Sequence, residues 1–265
     1  MQPREVMMPL SHERFQLSGR VALVTGGSKG LGKAMATGLA QAGADVLISS
    51  RHENELQAAA REIRSGCTTR VEYVVSDLSQ RESARELARA AIETMSRVDI
   101  LVNNAGTNLP QPIDEIRDED WDRLVELNLS SCMALSRALV TSMKERRWGR
   151  IIHISSIMGF TSAAGRNVYS ATKSALLGLA RASASDLGAF GITVNCIAPG
   201  WFLTELPLSL LSQEKQDELA RRTALGRWGQ PEELIGPVLL LSSDAGSYIT
   251  GTAIVVDGGF LAKVF

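Results

Sequence analysis

The sequence predicts one α/β domain with a doubly wound, parallel, seven-stranded sheet and helices on both faces. Short apolar runs alternate with helical patterns almost to the end of the 265-residue chain. Such alternation gives a parallel sheet with right-handed crossovers. The apolar runs are nearly continuous in Val, Ile and Leu, which is typical of strands buried on both faces. No stretch rich in Pro, Gly or Ser marks a linker to a second domain.

Each strand is expected where a short apolar run ends in a turn signal. The expected strands are residues 21–25, 44–49, 71–76, 98–103, 150–155, 192–198 and 253–256. Between them, apolar residues recur at helical spacing, and the expected helices are residues 31–41, 53–64, 80–96, 118–146, 168–187 and 232–241. One segment breaks the alternation. Residues 201–229 separate the sixth strand from the last helix, and long insertions usually form lids or binding loops.

The composition limits the partners of the chain. Lys and Arg total 28 and Asp and Glu total 29, for a net charge of -1, so neither nucleic acid nor an anionic membrane is an expected partner. The three histidines show no spacing typical of a zinc site, and we expect no metal. The three cysteines are widely spaced and odd in number, which disfavours a disulfide framework and fits a reducing, cytoplasmic compartment.

The N-terminal segment carries no targeting signal. Residues 1–16 mix charged side chains with short apolar patches and lack a signal-peptide core. No apolar run in the chain approaches the roughly 20 residues that cross a bilayer. We therefore expect a flexible extension over residues 1–16 and one domain over residues 17–265.

The first strand runs into a glycine-rich turn that can bind phosphate. Residues 25–32 read Thr-Gly-Gly-Ser-Lys-Gly-Leu-Gly, and a helical pattern follows. Glycines let backbone N–H groups approach a pyrophosphate, and a helix N-terminus adds partial positive charge. The spacing Gly-x-x-x-Gly-x-Gly differs from the commonest dinucleotide fingerprint. The same glycines could therefore serve only a tight turn between strand and helix.

The end of the second strand lacks the carboxylate that binds the ribose 2′-hydroxyl of NAD. Ser49, Ser50 and Arg51 stand there instead, and Lys29 lies within the glycine-rich turn. Two cations and no acid suit a 2′-phosphate, since guanidinium and ammonium groups both bind phosphate. The sequence thus favours NADP(H) and leaves NAD(H) open. In the alternative, Lys29 and Arg51 are simple surface charges.

Tyr169 and Lys173 lie four residues apart on an expected helix and share one face. Free tyrosine has a pKa of about 10, too high for a base near neutrality, but a nearby ammonium favours the phenolate. Tyr169 could then accept a proton from an alcohol or donate one to a carbonyl, while Ser156 binds the substrate oxygen. A lone Tyr-x-x-x-Lys often arises by chance, and Tyr169 would then be a packing or surface residue.

Several further motifs follow one another along the chain. They are Asp77-Leu78 after the third strand, Asn-Asn-Ala-Gly at residues 103–106, Asn128, Ser156, Tyr169 with Lys173, Pro199-Gly200, and Asp-Gly-Gly at residues 257–259. With the glycine-rich turn, they make the chain resemble the short-chain dehydrogenase/reductase family over about residues 17–260. The resemblance implies a Rossmann-type fold, an oxidoreductase with a small-molecule alcohol or carbonyl substrate, and a homotetramer paired through its long helices and last strand.

The resemblance also implies residue roles. Asn128, Ser156, Tyr169 and Lys173 match the catalytic tetrad, in which Asn128 would hold a water that links Lys173 to solvent and Lys173 would also bind the nicotinamide ribose. Together with the turn and the two cations, the expected cofactor contacts are Gly26, Ser28, Lys29, Gly30, Leu31, Gly32, Ser50, Arg51, Asp77, Leu78, Asn104, Ala105, Gly106, Tyr169, Lys173, Pro199, Gly200, Phe202 and Thr204. Residues 201–229 correspond to the family's variable substrate loop.

Subgroup resemblance points to two substrate classes. Residues 104–108 and 197–206 resemble gluconate 5-dehydrogenases, and the overall pattern also resembles 3-oxoacyl carrier-protein reductases. The function prediction is therefore NADP(H)-dependent interconversion of a secondary alcohol and a ketone, on a sugar acid such as gluconate/5-ketogluconate or, alternatively, on a 3-oxoacyl thioester. Arg166 could bind a substrate carboxylate or be a surface or interface charge.

Two other functions compete with this prediction. A non-catalytic dinucleotide-binding protein could lose Tyr169 or Lys173 without penalty, yet both are present with Ser156 and Asn128. A sugar-nucleotide epimerase shares the Tyr-x-x-x-Lys logic but usually carries a larger C-terminal substrate region. Both alternatives are therefore disfavoured.

Overall fold

Seven parallel strands form one sheet in the order β3-β2-β1-β4-β5-β6-β7 in the computed structural model, which describes residues 12–205 and 211–263. The strands are β1 (Val21–Thr25), β2 (Asp45–Ser50), β3 (Val71–Val75), β4 (Ile100–Asn103), β5 (Gly149–Ile154), β6 (Ile192–Pro199) and β7 (Ala253–Val256). At the centre, Leu23 of β1 stands opposite Leu47 of β2 and Leu101 of β4. The order reverses between β1 and β4, which confirms the expected doubly wound sheet.

Helices cover both faces of this sheet. The described α-helices are α1 (Gly30–Gln41), α2 (Glu53–Ser65), α3 (Ser83–Met95), α4 (Asp118–Val125), α5 (Ser131–Arg146), α6 (Asn167–Leu187), α7 (Gln213–Arg222) and α8 (Ile235–Ser242). Apolar residues of α3, α5 and α6 pack in one buried cluster, and those of α1, α2 and α8 pack in another. The strands β1, β4, β5 and β6 are buried along their whole length, because each face of the sheet lies under one of these layers.

The long helix expected over residues 118–146 is interrupted. Helix α4 passes into a π-helical segment (Glu126–Ser130), and α5 follows at Ser131. The chain keeps one direction, but the wider turn sets residues 126–130 apart from regular helix. Such π-bulges occur frequently at functional sites, and Asn128 lies within this one.

The segment over residues 201–229, expected as a loop, contains a helix. Helix α7 lies inside it, and the Ser212 hydroxyl caps its start by accepting a hydrogen bond from the Lys215 N–H at 3.3 Å. The last predicted helix begins as a 3-10 turn (Pro231–Leu234) before α8, since proline suits the first turn of a helix. Residues 206–210 of the expected substrate loop lie outside the described residues.

Part of the expected N-terminal extension packs on the domain. Residues 1–11 lie outside the described residues. A 3-10 turn (Glu13–Phe15) follows, and Arg14 Nη2 donates to the Asp244 carbonyl oxygen at 3.0 Å. None of the helices described here is long and apolar enough to cross a membrane.

Candidate active site

A cleft of about 560 Å³ joins the glycine-rich turn to the N-terminal part of α6. It lies beyond the carboxyl ends of the central strands, where doubly wound sheets bind ligands. The cleft brings together many of the predicted site residues: Lys29, Gly30, Leu31, Gly32, Asn104, Gly106, Ser156, Tyr169, Lys173, Pro199, Gly200 and Thr204. Two motifs more than 120 residues apart in sequence therefore share one site.

The glycine-rich turn needs its glycines for close backbone approach. Gly26 and Gly30 have φ of 63° and 51°, a region that favours glycine. A Cβ at Gly32 would lie 2.1 Å from the Gly26 carbonyl oxygen, so no larger residue fits. The backbone at the start of α1 is thus open to a ligand. Such a cradle fits the pyrophosphate of a dinucleotide.

Asn104 and Ala105 fix this turn through hydrogen bonds with Thr25 and Gly26. The Asn104 amide donates to the carbonyl oxygens of Thr25 and Gly26 at 2.9 and 3.2 Å. The Thr25 hydroxyl oxygen accepts from the backbone N–H groups of Asn104 and Ala105, each at 3.0 Å. The β4 motif therefore fixes the shape of the β1 turn, in addition to lining the cleft at Asn104.

Lys29 is paired with two carboxylates. Its Nζ lies 2.9 Å from Glu55 Oε1 and 3.4 Å from Glu205 Oε2. The hydrogen bond with Glu55, followed by that with Glu205, raises the pKa of Lys29 above its usual value. A phosphate bound at Lys29 would compete with these acids. Sequence reasoning missed both, since Glu55 resembles any acid in the first turn of a helix and Glu205 lies far along the chain.

Lys173 is fixed one helical turn beyond Tyr169 on α6. Its Nζ donates to the Ile154 carbonyl oxygen at 2.7 Å and lies 5.6 Å from the centroid of the Tyr169 ring. The Lys173 side chain is buried. Its backbone carbonyl accepts from the Ser155 hydroxyl at 2.8 Å. The structure thus places a buried ammonium beside the phenol ring of Tyr169.

Ser156 faces the same cleft from the end of β5. It caps the short 3-10 helix Ile157–Gly159, and its Oγ accepts a hydrogen bond from the Met158 N–H at 3.1 Å. This bond uses an acceptor site and leaves the hydroxyl proton free to donate. The geometry suits a hydroxyl that donates to a substrate oxygen.

Asn128 ties the π-helical segment to the loop after β4. Its Oδ1 accepts from the Thr107 N–H at 2.9 Å. Its Nδ2 donates to the Thr107 carbonyl oxygen at 2.9 Å and to Thr172 Oγ1 at 3.3 Å. A Cβ on Gly106 would lie 3.0 Å from Asn128 Oδ1 and 3.4 Å from Lys173 Nζ. Both side chains therefore pack close to the Gly106 backbone, where a larger residue would crowd them.

Some predicted cofactor contacts do not line this cleft as the structure describes it. They are Gly26, Ser28, Ser50, Arg51, Asp77, Leu78, Ala105 and Phe202. Leu78 is buried in the core, while the Asp77 carboxylate accepts from the N–H and hydroxyl of Ser79 at 3.1 and 2.8 Å. Arg51 is exposed. Their contact with a cofactor stays a prediction.

Phe202 lies on the substrate side. It is buried, forms a parallel bridge with Gly229, and lines a second cavity of about 220 Å³ that shares Ser156 and Tyr169 with the main cleft. Arg166 lines the same second cavity. Whether this arginine binds a substrate carboxylate or is a surface or interface charge stays open.

A family model for short-chain dehydrogenases matches residues 20–215. The chain belongs to this family. Its members are oxidoreductases, and the shared cleft of turn, tyrosine and lysine is consistent with that class. Within the residues that the structure describes, no cluster of three or more His, Cys, Asp or Glu side chains could hold a metal ion.

Two curated relatives of this dehydrogenase represent different substrate classes. A gluconate 5-dehydrogenase from Gluconobacter oxydans (strain 621H) is 36% identical over 260 residues, covering 96% of this chain and 100% of that protein. A 3-oxoacyl-[acyl-carrier-protein] reductase from Aquifex aeolicus (strain VF5) is 36% identical over 245 residues, covering 92% and 98%. Sequence identity therefore does not separate the two.

A solved structure agrees closely with this fold. A gluconate 5-dehydrogenase from Burkholderia cenocepacia J2315 in complex with NADP and tartrate has a TM-score of 0.90 and 34% identity, covering 96% of this chain and 100% of that one. The seven-stranded arrangement of this dehydrogenase is thus that of its solved relatives.

Sequence reasoning missed a buried histidine beneath the site. His153 of β5 lies 3.1 Å through Nδ1 from the Nδ2 atom of Asn103, and its side chain is buried. Burial lowers the pKa of His153 to about 4, and the positive charge of Lys173 acts in the same direction. Only the tertiary structure places this ring near the lysine, because nothing local marks it.

Proposed function

We propose that the protein interconverts a secondary alcohol and a ketone with NADP(H), using Tyr169 as the general acid/base. The observation that carries the proposal is the convergence of Tyr169, Lys173 and Ser156 on the cleft that begins at the glycine-rich turn. When bound, the nicotinamide supplies or accepts the hydride. The chain's own residues bind the substrate and move the proton.

Tyr169 exchanges the proton at the substrate oxygen. In the oxidation it accepts the hydroxyl proton as the hydride leaves the carbon, and in the reduction it donates a proton to the carbonyl oxygen. The buried ammonium of Lys173 would stabilise negative charge that develops on the Tyr169 oxygen during the transfer, and Lys173 would also bind the nicotinamide ribose. Ser156 donates a hydrogen bond to the substrate oxygen as charge develops there.

Asn128 positions the proton path and the lysine. Its three hydrogen bonds to Thr107 and Thr172 hold the π-helical segment against the loop that carries Gly106. A water bound at Asn128 would link Lys173 to solvent. The packing of Gly106 between Asn128 and Lys173 supports this connection.

The preference for NADP(H) rests on Lys29 and Arg51. Lys29 lies in the glycine-rich turn, Arg51 directly follows β2, and the end of β2 carries Ser50 in place of an acid. The gluconate 5-dehydrogenase from Burkholderia cenocepacia was solved with NADP. A 3-oxoacyl reductase from Agrobacterium tumefaciens C58, also solved with NADP, has a TM-score of 0.90 and 32% identity over 97% of this chain and 99% of that one.

The leading substrate class is a sugar acid such as gluconate/5-ketogluconate. The relative from Gluconobacter oxydans and the placement of Arg166 support it. The second candidate is a 3-oxoacyl thioester, supported by the equally identical reductase from Aquifex aeolicus. The remaining predicted cofactor contacts, from Asp77 and Leu78 to Phe202, belong to the same proposal.

We also propose a cytoplasmic homotetramer. The exposed apolar side chains include Phe160 beside α6, Tyr248 before β7, and Val255 within β7. Exposed apolar surface of this kind suits an interface between subunits. Three free cysteines, two of them buried, fit a reducing compartment.

A panel assay tests the reaction. The purified protein would be mixed with NADPH or NADH and with ketogluconates, 3-ketoacyl thioesters, diketones and ring ketones, and nucleotide absorbance would be followed. We expect turnover with NADPH and near-complete loss in Tyr169→Phe, whereas Tyr248→Phe, at a fully exposed tyrosine, keeps full activity. Absence of turnover on every carbonyl, or full activity of Tyr169→Phe, would refute the proposal.

A second assay tests the cofactor. Arg51→Ala should weaken NADPH binding about 10-fold and leave NADH binding unchanged, because a charge-assisted phosphate contact is lost. Arg61→Ala, at an exposed arginine of α2, is the matched control. A preference of the wild type for NADH, or equal NADPH affinity in both variants, would contradict the cofactor assignment.

A further inference from the structure

The wall of the cavity beside Tyr169 and Ser156 contains polar side chains that the proposed proton transfer does not use. Its wall includes Asn108 after β4, Arg166 at the start of α6, and Trp201 after β6. These three residues come from separate parts of the chain. They are brought together only because they line the cavity next to Tyr169 and Ser156.

Two of these side chains contain buried atoms without a partner. Asn108 Oδ1 and Trp201 Nε1 are closed off from solvent and form no hydrogen bond with any described residue. One is an acceptor and the other a donor. Buried polar atoms are nearly always satisfied, and an exception often marks the place of a water or ligand.

The guanidinium of Arg166 is also unengaged. Across the described chain it has no hydrogen bond and no ion pair, although its backbone is well held. The adjacent Gln111 N–H donates to the Gly165 carbonyl oxygen at 2.9 Å, and Gln111 forms a parallel bridge with Arg166. Arg166 is the N-cap residue of α6, where a cation gains nothing from the helix dipole. Fold stability therefore does not explain this charge.

We propose that Arg166, Trp201 and Asn108 form a receptor for the part of the substrate remote from its reacting carbon, and that this part is a hydroxylated carboxylate. Arg166 binds the carboxylate, the Trp201 indole N–H donates to a substrate oxygen, and Asn108 Oδ1 accepts from a substrate hydroxyl. The inference rests on the proposed function, because Tyr169 defines which carbon reacts.

The same groups disfavour a 3-oxoacyl chain in this cavity. An acyl chain has no hydroxyl proton for Asn108 Oδ1 and no anion for Arg166. It would bury a donor, an acceptor and a cation against hydrocarbon, which is costly for each of them. No Asp or Glu is among the described residues that line the cavity, so nothing there neutralises Arg166 except a bound anion.

Calorimetric binding to the NADPH-loaded enzyme, which cannot oxidise either ligand, tests the receptor. Gluconate and glucitol share a carbon chain and differ at the carboxylate. We expect gluconate to bind at least about 10-fold more tightly than glucitol, and Arg166→Gln to weaken gluconate about 10- to 100-fold while leaving glucitol unchanged. Arg61→Gln is the matched control. Equal binding of the two ligands to the wild type, or an unchanged gluconate affinity in Arg166→Gln, would overturn the proposal.

The indole donor needs a variant that keeps the ring. Trp201 packs on Trp228 with ring centroids 5.6 Å apart, and Trp201→Phe retains an aromatic ring while it removes the N–H. We expect about 2- to 10-fold weaker binding of both gluconate and glucitol. Unchanged affinity for both would remove Trp201 from the receptor.

Reduction of a small diketone separates this inference from the proposed function. A diketone uses Tyr169 and Ser156 but offers neither carboxylate nor hydroxyls. In Arg166→Gln and Trp201→Phe, kcat/KM should therefore fall less for the diketone than for a ketogluconate. A parallel loss of diketone and gluconate would show that Arg166 acts on the fold or the catalytic groups, against the receptor. An enzyme inactive on every carbonyl refutes the reaction, and calorimetry still decides the receptor.

Discussion

Acid should destabilise this protein through His153 beneath the active site. The imidazole is buried on β5, close to Asn103 on the neighbouring strand. Burial first, and then the charge of Lys173, lowers the pKa of His153 from 6.5 to about 4. The folded protein therefore holds a neutral ring over a pH range in which the unfolded chain holds a protonated one.

The consequence for stability has a definite sign. Between pH 4 and pH 6.5 the unfolded state binds more protons at this group, so the free energy of unfolding rises with pH. The contribution of His153 is fully present above pH 6.5 and is lost as pH falls towards 4. At about 1.36 kcal/mol per pKa unit, the full effect is about 3 kcal/mol, of which about 2 kcal/mol falls between pH 8 and pH 5.

Urea unfolding at fixed protein concentration measures this effect. The free energy of unfolding would be determined from about pH 5 to pH 8 for the wild type and for His153→Gln, whose amide oxygen can still accept from Asn103. The contributions of carboxylates cancel in the difference. We expect the wild-type advantage over the variant to shrink by about 2 kcal/mol on going from pH 8 to pH 5.

A matched control and a refuting result complete this experiment. His52→Gln alters an exposed histidine and should run parallel to the wild type across the whole range. If His153→Gln also runs parallel to the wild type, the imidazole is not held neutral by burial, and the reasoning is wrong.

Three further predictions concern the cleft. Asn128→Ala removes three hydrogen bonds, and we expect about 3 kcal/mol less stability in urea together with a lower kcat. Gly32→Ala places a methyl group 2.1 Å from a backbone oxygen, so calorimetry should show that NADPH binding is lost, and urea unfolding should show a stability lower by about 1–3 kcal/mol. Gly236→Ala, with open space around it, should be tolerated. Glu55→Gln removes one of the two carboxylates paired with Lys29 and should tighten NADPH, not NADH, about 2- to 5-fold in fluorescence titrations. Equal effects on both nucleotides would contradict the pairing.

Local sequence signals were enough for most of the sheet. The expected strands agree with β1 to β7 to within two residues at each end, because a buried parallel strand is a short apolar run bounded by turn residues. Helix α7 was missed because it lies in a segment interpreted as a loop, although Ser212 and the acidic and basic residues after it have the pattern of a capped helix.

The π-helical segment could not be predicted from the sequence. Residues 126–130 continue the spacing of a regular helix, and the wider turn depends on the partners of Asn128. Those partners, Thr107 and Thr172, lie on other elements. The same holds for Lys29, whose carboxylate partners come from α2 and from the segment after β6.

The sequence by itself determined the order of strands and helices, the glycine-rich turn, the Tyr169–Lys173 spacing and the resemblance that led to the family. These are local patterns, and each depends on residues only a few positions apart. Tertiary structure alone decided which distant groups meet: Lys173 with Ile154, His153 near Lys173, and Arg166 with Trp201 in the lining of one cavity. Burial and charge pairing depend on all neighbours in space, and the linear chain does not specify those neighbours.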